Sequence, residues 1–153
     1  MGIGGTSDIM YSDKFAKLWL DMNHDFQEHM AAELAPDLTV VQLHALELIL
    51  SMEKAKPSDL IAHLEISPAA ITTLMDRMEK NKLLIRQRDK NDRRIVWLQI
   101  TPRGKNEYQR GTDIKHQYFE RRLNELSRHN QQVLTYLFGK VAPKPEESRT
   151  ETD

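Results

Sequence analysis

A charged stretch that passes directly into an alternating apolar stretch constrains the fold of this chain more than any other feature. Residues 86–101 read RQRDKNDRRIVWLQIT, and both LLIRQR and RIVWLQI are rich in β-branched, apolar and aromatic residues. The Asp-Lys-Asn-Asp sequence between them supplies residues that favour turns. The pattern predicts a β-hairpin with a charged tip, in which Val96, Leu98 and Ile100 lie on the strand face that packs against the core.

Basic residues are concentrated around this hairpin, although the chain as a whole is nearly neutral. The 153 residues have a formal net charge of −1, whereas the segment from Arg77 to Arg94 has eight basic and three acidic residues. That segment therefore has a net charge of +5, and the remainder has −6. A local basic surface on an acidic body indicates a site that binds a polyanion.

The composition excludes several classes of protein. Cysteine is absent, which rules out disulfides, thiolate metal sites and a cysteine nucleophile. No stretch approaches the ~18 consecutive apolar residues of a membrane helix, and the N-terminus lacks the pattern of a secretory signal, so a cytoplasmic location is expected. Neither a nucleophile elbow, a phosphate-binding glycine loop nor an H-E-x-x-H motif is present, so neither an enzyme nor a cofactor is predicted.

The helices that precede the hairpin have well-marked starts. Thr39 and Gln42 form a capping box, Pro57 opens a short helix, and Ser67-Pro68 opens a longer one. The inward face of that longer helix is predicted to contain Ile71, Leu74, Met75 and Met78. Its opposite face is small and polar at the N-terminal end and basic further along. A short helix, a tight turn and a second helix predict a helix-turn-helix, which becomes a winged helix when the hairpin follows.

Long amphipathic helices are predicted on both sides of this region. Ser12 is the predicted N-cap of a first helix that ends near Pro36, Thr101-Pro102 begins another long helix, and a last helix starts at Ser127 or Asn130 and has Gly139 as its C-cap. The expected fold is mostly α (α+β), with a flexible leader at 1–10, helical regions at 11–36 and 102–141, a winged helix at 37–101 and a disordered tail at 142–153. The wide aromatic stripe of the first helix needs a partner.

The stretch from Leu38 to Gly104 resembles the MarR family of bacterial winged helix-turn-helix transcription regulators. The matching motifs are LTVVQLHAL at 38–46, PSDLIAHLEIS before the second helix of the pair, and LIRQRDKNDRR leading to LQITPRG. The D-x-R of Asp92 and Arg94, followed by a threonine and a glycine that open the next helix, is the family's most recognisable pattern. The resemblance implies a homodimer whose long helices form the dimerisation region. It would bind a pseudo-palindromic site on double-stranded DNA, often as a repressor released by a small phenolic or anionic effector.

The resemblance also implies roles for individual residues. In the major groove and at nearby phosphates we expect Ser67, Ala69, Thr72, Thr73 and Arg77, the residues exposed on the recognition helix. Either Arg93 or Arg94 would enter the minor groove, oriented by Asp92, and the other predicted DNA-binding residues are Arg86, Arg88 and Lys90. Dimerisation is assigned to Phe15, Leu18, Trp19, Tyr118, Leu134, Leu137 and Phe138, and an effector pocket to Met22, Phe26, His44 and Tyr118.

Two alternatives stay open. A winged helix can serve as a protein-interaction module that does not bind DNA, but its arginines should then be scattered rather than grouped on the wing. A zinc-responsive regulator is the other alternative, because His44 and His116 lie where some metal-sensing members of the family resemble this chain. The cysteine and second histidine that complete such a site are missing, so no metal ligand is predicted.

Overall fold

The structure, a computed structural model, describes residues 6–143 and the side chains from residue 10 onward. In this range it contains six helices and one two-stranded sheet, which confirms the predicted mostly helical winged-helix fold. The elements are α1 Thr6–Leu34, α2 Val40–Ser51, α3 Pro57–Leu64, α4 Pro68–Lys80, β1 Leu84–Arg88, β2 Val96–Ile100, α5 Pro102–Leu123 and α6 Arg128–Val141. Among the described helices, none combines the length and apolarity needed to cross a membrane.

Helices begin where side-chain caps were predicted. The Thr39 amide donates to Gln42 Oε1 at 3.0 Å, and the Gln42 amide donates to Thr39 Oγ1 at 3.2 Å, so both halves of the capping box of α2 are present. Ser67 Oγ accepts from the amide of Ala70 at 3.1 Å and caps α4. Each cap provides an acceptor for an amide that has no partner within its own helix, so these starts are defined locally.

Two predicted helix ends are wrong. Helix α1 begins at Thr6 rather than after Ser12, so residues 6–10 of the predicted leader are helical, while residues 1–5 lie outside the described range. Neither glycine nor proline interrupts the sequence between Thr6 and Ser12, and the helix can therefore extend. Gly139 lies inside α6, whose C-cap is the extended residue Ala142. Pro143 disfavours a helical conformation at Ala142 and explains the later end. Residues 144–153 of the predicted tail lie outside the described range.

The chain divides into two compact units, of which the first extends to Lys115. Its core joins the C-terminal end of α1 to α2, α3, α4 and the hairpin. The inward stripe predicted for α4 is confirmed at Ile71, Met75 and Met78, which are buried, and Leu74 is partly buried. The other buried apolar residues of this core are Met30, Leu34, Leu38, Leu43, Ala45, Leu46, Ile49, Ala55, Leu60, Leu83, Leu84 and Leu98.

The hairpin is connected to the helix-turn-helix through its second strand. β1 and β2 are antiparallel, with Arg86 opposite Leu98 and Gln87 opposite Trp97. The amide of Leu98 also donates to the carbonyl of Ala55 at 2.8 Å, which makes an isolated bridge to the segment between α2 and α3. Leu98 is buried on the core face. The strands are therefore held against the core on both a backbone edge and a side-chain face.

The start of α5 fits closely against the start of the hairpin. Thr101 Oγ1 donates to the carbonyl of Lys82 at 2.6 Å and accepts from the amide of Gly104 at 3.0 Å. A Cβ added to Gly104 would lie 2.0 Å from the carbonyl oxygen of Leu83. The absence of a side chain at this position is therefore required for α5 to approach the backbone before β1.

The second unit begins at His116 and contains the end of α5 and all of α6. The structure describes this unit up to residue 143. The rings of Tyr118 and Phe119 are edge to face, with centroids 5.2 Å apart, and the guanidinium of Arg122 lies 5.3 Å from the Tyr118 ring centroid. No side chain of α6 is buried within the described chain, although the helix has a predicted apolar stripe.

Candidate nucleic-acid interface

Helix α4 has one buried face and one exposed polar face. All five residues predicted to contact the major groove are exposed, namely Ser67, Ala69, Thr72, Thr73 and Arg77. The hydroxyl of Thr72 donates to the carbonyl of Pro68 at 3.2 Å, and that of Thr73 donates to the carbonyl of Ala69 at 3.3 Å. Since these protons are used within the helix, each hydroxyl oxygen keeps lone pairs that can accept from a donor outside it.

The tip of the hairpin is a turn at residues 89–95, which we call the wing turn. Asp92 Oδ1 accepts from the amide of Arg94 at 3.0 Å and from its Nε at 3.3 Å. The Arg94 side chain is nevertheless 93% exposed. The carboxylate therefore binds the guanidinium at Nε, while its two terminal nitrogens remain available to contact a ligand.

A second aspartate organises the backbone of the wing turn. Asp89 Oδ1 accepts from the amides of Asn91 at 2.8 Å and Asp92 at 3.0 Å, and Asp89 Oδ2 accepts from the indole Nε1 of Trp97 at 2.8 Å. The amide of Asp89 donates to the carbonyl of Ile95 at 2.9 Å and closes the turn. The Trp97 bond, together with the two backbone amides, lowers the pKa of Asp89 from 3.8 to about 2. Each donor stabilises the charged carboxylate.

The sequence did not single out Asp89, although Asp followed by Asn and Asp is typical of side-chain-to-backbone turns. Nor did it indicate the partner of Trp97, because an indole on the outer strand face is compatible with many kinds of packing. Lys54 is a further residue that the pattern missed. Its Nζ lies 5.4 Å from the Trp97 ring centroid, within the range of a cation–π contact.

Arg86 has a different set of partners from those expected for a DNA-binding residue. Its Nη2 lies 2.6 Å from Asp76 Oδ1 and 2.7 Å from Glu79 Oε2, and its amide donates to Glu79 Oε1 at 3.1 Å. These contacts raise the pKa of Arg86, mainly through Glu79 and then Asp76, and the bonds from Arg86 lower the pKa of Glu79. Because two carboxylates from α4 occupy the guanidinium, we assign Arg86 to holding β1 on the recognition helix rather than to a phosphate contact.

The remaining predicted wing cations are available to a ligand. Arg88, Lys90 and Arg93 are exposed and form no ion pair within residues 10–143. They share the first unit with Arg77 and with Arg94, which stays exposed although it is paired with Asp92. The exposed positive charges predicted from the sequence therefore belong to one compact unit.

The residues assigned to dimerisation fall into two groups. Six are large apolar side chains that stay at least 40% exposed in one chain: Phe15, Leu18, Trp19, Leu134, Leu137 and Phe138. Tyr118 is different, because it is buried within the chain.

The residues assigned to an effector pocket are dissimilar in their surroundings. Met22 and His44 are exposed, Phe26 packs partly against the core of the first unit, and Tyr118 belongs to the second unit. An open cleft of about 870 Å³ lies elsewhere in the first unit. It is lined by Pro36, Thr39, Val41, Gln42, Ile66, Ala70, Thr73, Leu74, Arg77, Lys80 and Asn81.

Within the described residues, no group of three or more histidine, cysteine, aspartate or glutamate residues could hold a metal ion.

The order of the elements, the exposed polar face of α4 and the arginine-bearing hairpin define a winged helix-turn-helix protein. The model of the MarR family matches residues 38–96, which contain the helix-turn-helix and the hairpin up to the start of β2. Residues 38–96 therefore form a region of the MarR family.

Individual proteins resemble the chain over most of its length. The HTH-type transcriptional repressor MdtR of Bacillus subtilis is 25% identical over 71% of this chain and 70% of its own length. Across three Bacillus subtilis regulators, the matched stretch covers between 60% and 88% of the relative. Among solved structures, YusO of Bacillus subtilis is 22% identical, has a TM-score of 0.76 and is matched over 90% of this chain and 97% of YusO. A mutant of MarR from E. coli, complexed with operator DNA, is 23% identical, has a TM-score of 0.64 and is matched over 85% of this chain and 94% of MarR.

Proposed function

We propose that this protein is a sequence-specific regulator that binds a pseudo-palindromic operator on double-stranded DNA as a homodimer. One observation carries the proposal. A single compact unit contains both the exposed Thr72–Thr73 face of α4 and the exposed Arg94 side chain, whose Nε is bonded to Asp92. A helix with a small polar face fits the major groove, and arginine is the side chain favoured in a narrow minor groove. In this scheme α4 reads bases and the wing turn enters the neighbouring groove.

The free cations support the affinity of such a complex. Arg77, Arg88, Lys90 and Arg93 are exposed, and counterions are released from DNA when such groups contact its phosphates. Binding that depends on several phosphate contacts weakens steeply as salt increases. The competing hypothesis, a winged helix that binds only proteins, predicts no salt-dependent affinity for any duplex.

A homodimer is supported by the exposed apolar side chains of α1 and α6. Leu18 is 59% and Leu137 is 55% exposed in a single chain. Large apolar groups exposed along a helix are typical of surfaces that are covered in the assembled protein. Two-fold symmetry would present two copies of α4 to two half-sites of an operator.

The finer form of this proposal is a repressor, because the related MdtR is a transcriptional repressor. We further propose that it responds to a small phenolic or anionic molecule. The cleft beside α4 is a candidate place for the molecule, because Thr73 and Arg77 lie in its wall and also belong to the proposed DNA-binding face. A ligand there would compete with DNA. A panel of phenolic acids should raise the thermal midpoint of the protein, and no shift with any of them would contradict this finer form.

The DNA proposal is tested with a duplex that the wild-type protein enriches from a random library. In a fluorescence titration, Arg94→Ala should weaken binding to that duplex by about 1–3 kcal/mol, because a base-edge or minor-groove contact is lost. Arg128→Ala removes an exposed arginine from α6 and is the matched control, for which affinity should not change. Unchanged binding by both Arg93→Ala and Arg94→Ala would remove the role of the wing. Failure to enrich any duplex would contradict DNA binding itself.

A further inference from the structure

Trp97 connects three parts of the wing that are separate in sequence. It lies on β2 opposite Gln87 of β1, its indole N–H donates to Asp89 at the start of the wing turn, and its ring lies beside Lys54. The tryptophan is half-buried rather than fully exposed. Its only polar side-chain atom, Nε1, is a donor, and a carboxylate is an acceptor that gives a charge-assisted bond.

Asp89 extends this connection to the arginine-bearing end of the turn. Its second oxygen accepts from the amides of Asn91 and Asp92, and Asp92 in turn accepts from the amide and Nε of Arg94. A continuous set of hydrogen bonds therefore leads from the Trp97 indole, through two aspartates, to the Arg94 side chain. The position of Trp97 is itself fixed, because its neighbour Leu98 is bonded to the carbonyl of Ala55.

We propose that Trp97 is a positioning residue that holds the wing turn, and with it Arg94, in the conformation that enters DNA. The inference rests on the proposed DNA-binding function and goes beyond it by assigning a role to a residue that does not contact DNA. The strands are held against the core, whereas the wing turn at the end of this two-stranded sheet needs contacts of its own to be ordered. A turn that is ordered before binding loses less conformational entropy when the complex forms.

The first arm of the test uses the full-length protein and the duplex enriched by the wild type. Trp97→Phe keeps an aromatic ring beside Lys54 but removes the N–H donor, and Asp89→Asn keeps an oxygen for the backbone amides but removes the charged acceptor. Each should weaken binding by about 3- to 10-fold, as expected for the loss of one hydrogen bond at a partly exposed site. Gln87→Ala, at the cross-strand partner of Trp97, is the control and should leave affinity unchanged.

The same substitutions are repeated in a protein that has both Arg93→Ala and Arg94→Ala. If Trp97 acts through the wing arginines, Trp97→Phe should have no further effect there, because coupled residues are not additive. An equal loss with and without the arginines would mean that the indole touches DNA directly, and would overturn the proposal. Unchanged affinity of Trp97→Phe in the otherwise native wing would also overturn it.

The second arm uses the free protein and does not depend on DNA. Hydrogen exchange by NMR at the Trp97 indole and at the amides of Asn91 and Asp92 should be faster in Asp89→Asn by about 10-fold, because the acceptor is weakened. Equal exchange in the two proteins would overturn the proposed hydrogen-bond network. A wild type that binds no duplex would instead contradict the proposed function, so the two failures are distinguishable.

Discussion

Asp89 shows how a single side chain makes the wing sensitive to acid. Its pKa is lowered from 3.8 to about 2, first by the Trp97 indole and then by the amides of Asp92 and Asn91. A carboxylate whose pKa is lower in the folded than in the unfolded state stabilises the fold above its unfolded pKa, and this contribution is lost as the pH falls through the folded pKa. The wing turn should therefore be unaffected above about pH 5 and lose the contribution between about pH 4 and pH 2.

An NMR titration that follows the carboxyl carbon of Asp89 as a function of pH tests this expectation. The midpoint should lie near pH 2 in the wild type. In Trp97→Phe it should move upward towards the ordinary value of an aspartate, since the first contributor to the shift is removed. A wild-type midpoint near 3.8 would show that the indole and the amides do not bind the charged form.

Arg86 and Arg88 lie two residues apart on β1 and should behave differently. Arg86 is bonded to Asp76 and Glu79, whereas Arg88 is exposed and has no ion pair among the described residues. Arg86→Ala should lower the free energy of unfolding by about 1 kcal/mol, because a partly exposed ion-pair network is screened by solvent. Arg88→Ala should leave stability unchanged but reduce the salt dependence of DNA binding by about one phosphate contact.

Urea unfolding and a titration at several salt concentrations measure the two effects separately. Identical behaviour of the two variants in both measurements would mean that the contacts of Arg86 with α4 contribute nothing to the stability of the first unit.

Where a helix start is determined by neighbouring residues, the sequence was sufficient to predict it. Thr39 and Ser67 act through hydrogen bonds to amides within three residues, and both predicted caps are present in the structure. For the last helix the sequence left Ser127 and Asn130 open, and the structure has Ser127 as the N-cap. The hairpin was predictable for the same reason, because strand alternation and turn formers are local patterns. Ser12 and Gly139 were misleading, since a residue that can end a helix does not have to do so when its neighbours are helix formers.

The parts of the site that could not be predicted depend on contacts between distant segments. The exposed face of α4 followed from helical periodicity, but the Arg86 contacts join residues 10 and 7 positions apart, which no periodic pattern reveals. Trp97 and Asp89 are eight positions apart, and their contact requires the hairpin register to be known. Which arginines are free, and which are held within the protein, is therefore a result of the fold.

Gly104 and Gly139 provide a matched pair for testing the approach of α5 to the hairpin. A Cβ at Gly104 would meet the backbone of Leu83 at 2.0 Å, whereas one at Gly139 would have no heavy atom within 4 Å in the described part of the chain. Gly104→Ala should therefore destabilise the protein by about 1–3 kcal/mol, as for other overpacked sites. Gly139→Ala should raise stability by up to about 1 kcal/mol, because alanine is the better helix former. Thermal unfolding measures both, and a Gly104→Ala protein as stable as the wild type would show that α5 can shift at little cost.

The prediction about assembly concerns the exposed apolar side chains of α1 and α6. Sedimentation equilibrium of the wild type should give twice the 17.8 kDa of one chain. Leu137→Glu should give a single chain, because a charge buried at an apolar interface without a partner is strongly unfavourable. Gln132→Glu adds the same charge at an exposed polar position of α6 and should remain a dimer. A Leu137→Glu protein of unchanged mass would place the contact elsewhere.

The bond between Leu98 and Ala55 limits what the proposed complex can recognise. Ala55 lies just before α3, the first helix of the helix-turn-helix. The distance between the hairpin and α4 therefore cannot easily change without breaking that bond and exposing Leu98. The distance between the bases that α4 contacts and the bases that Arg94 contacts would then be fixed. One base pair inserted between the stretch read by α4 and the stretch reached by Arg94 should abolish the contribution of the arginine, even though every base that either element touches is still present.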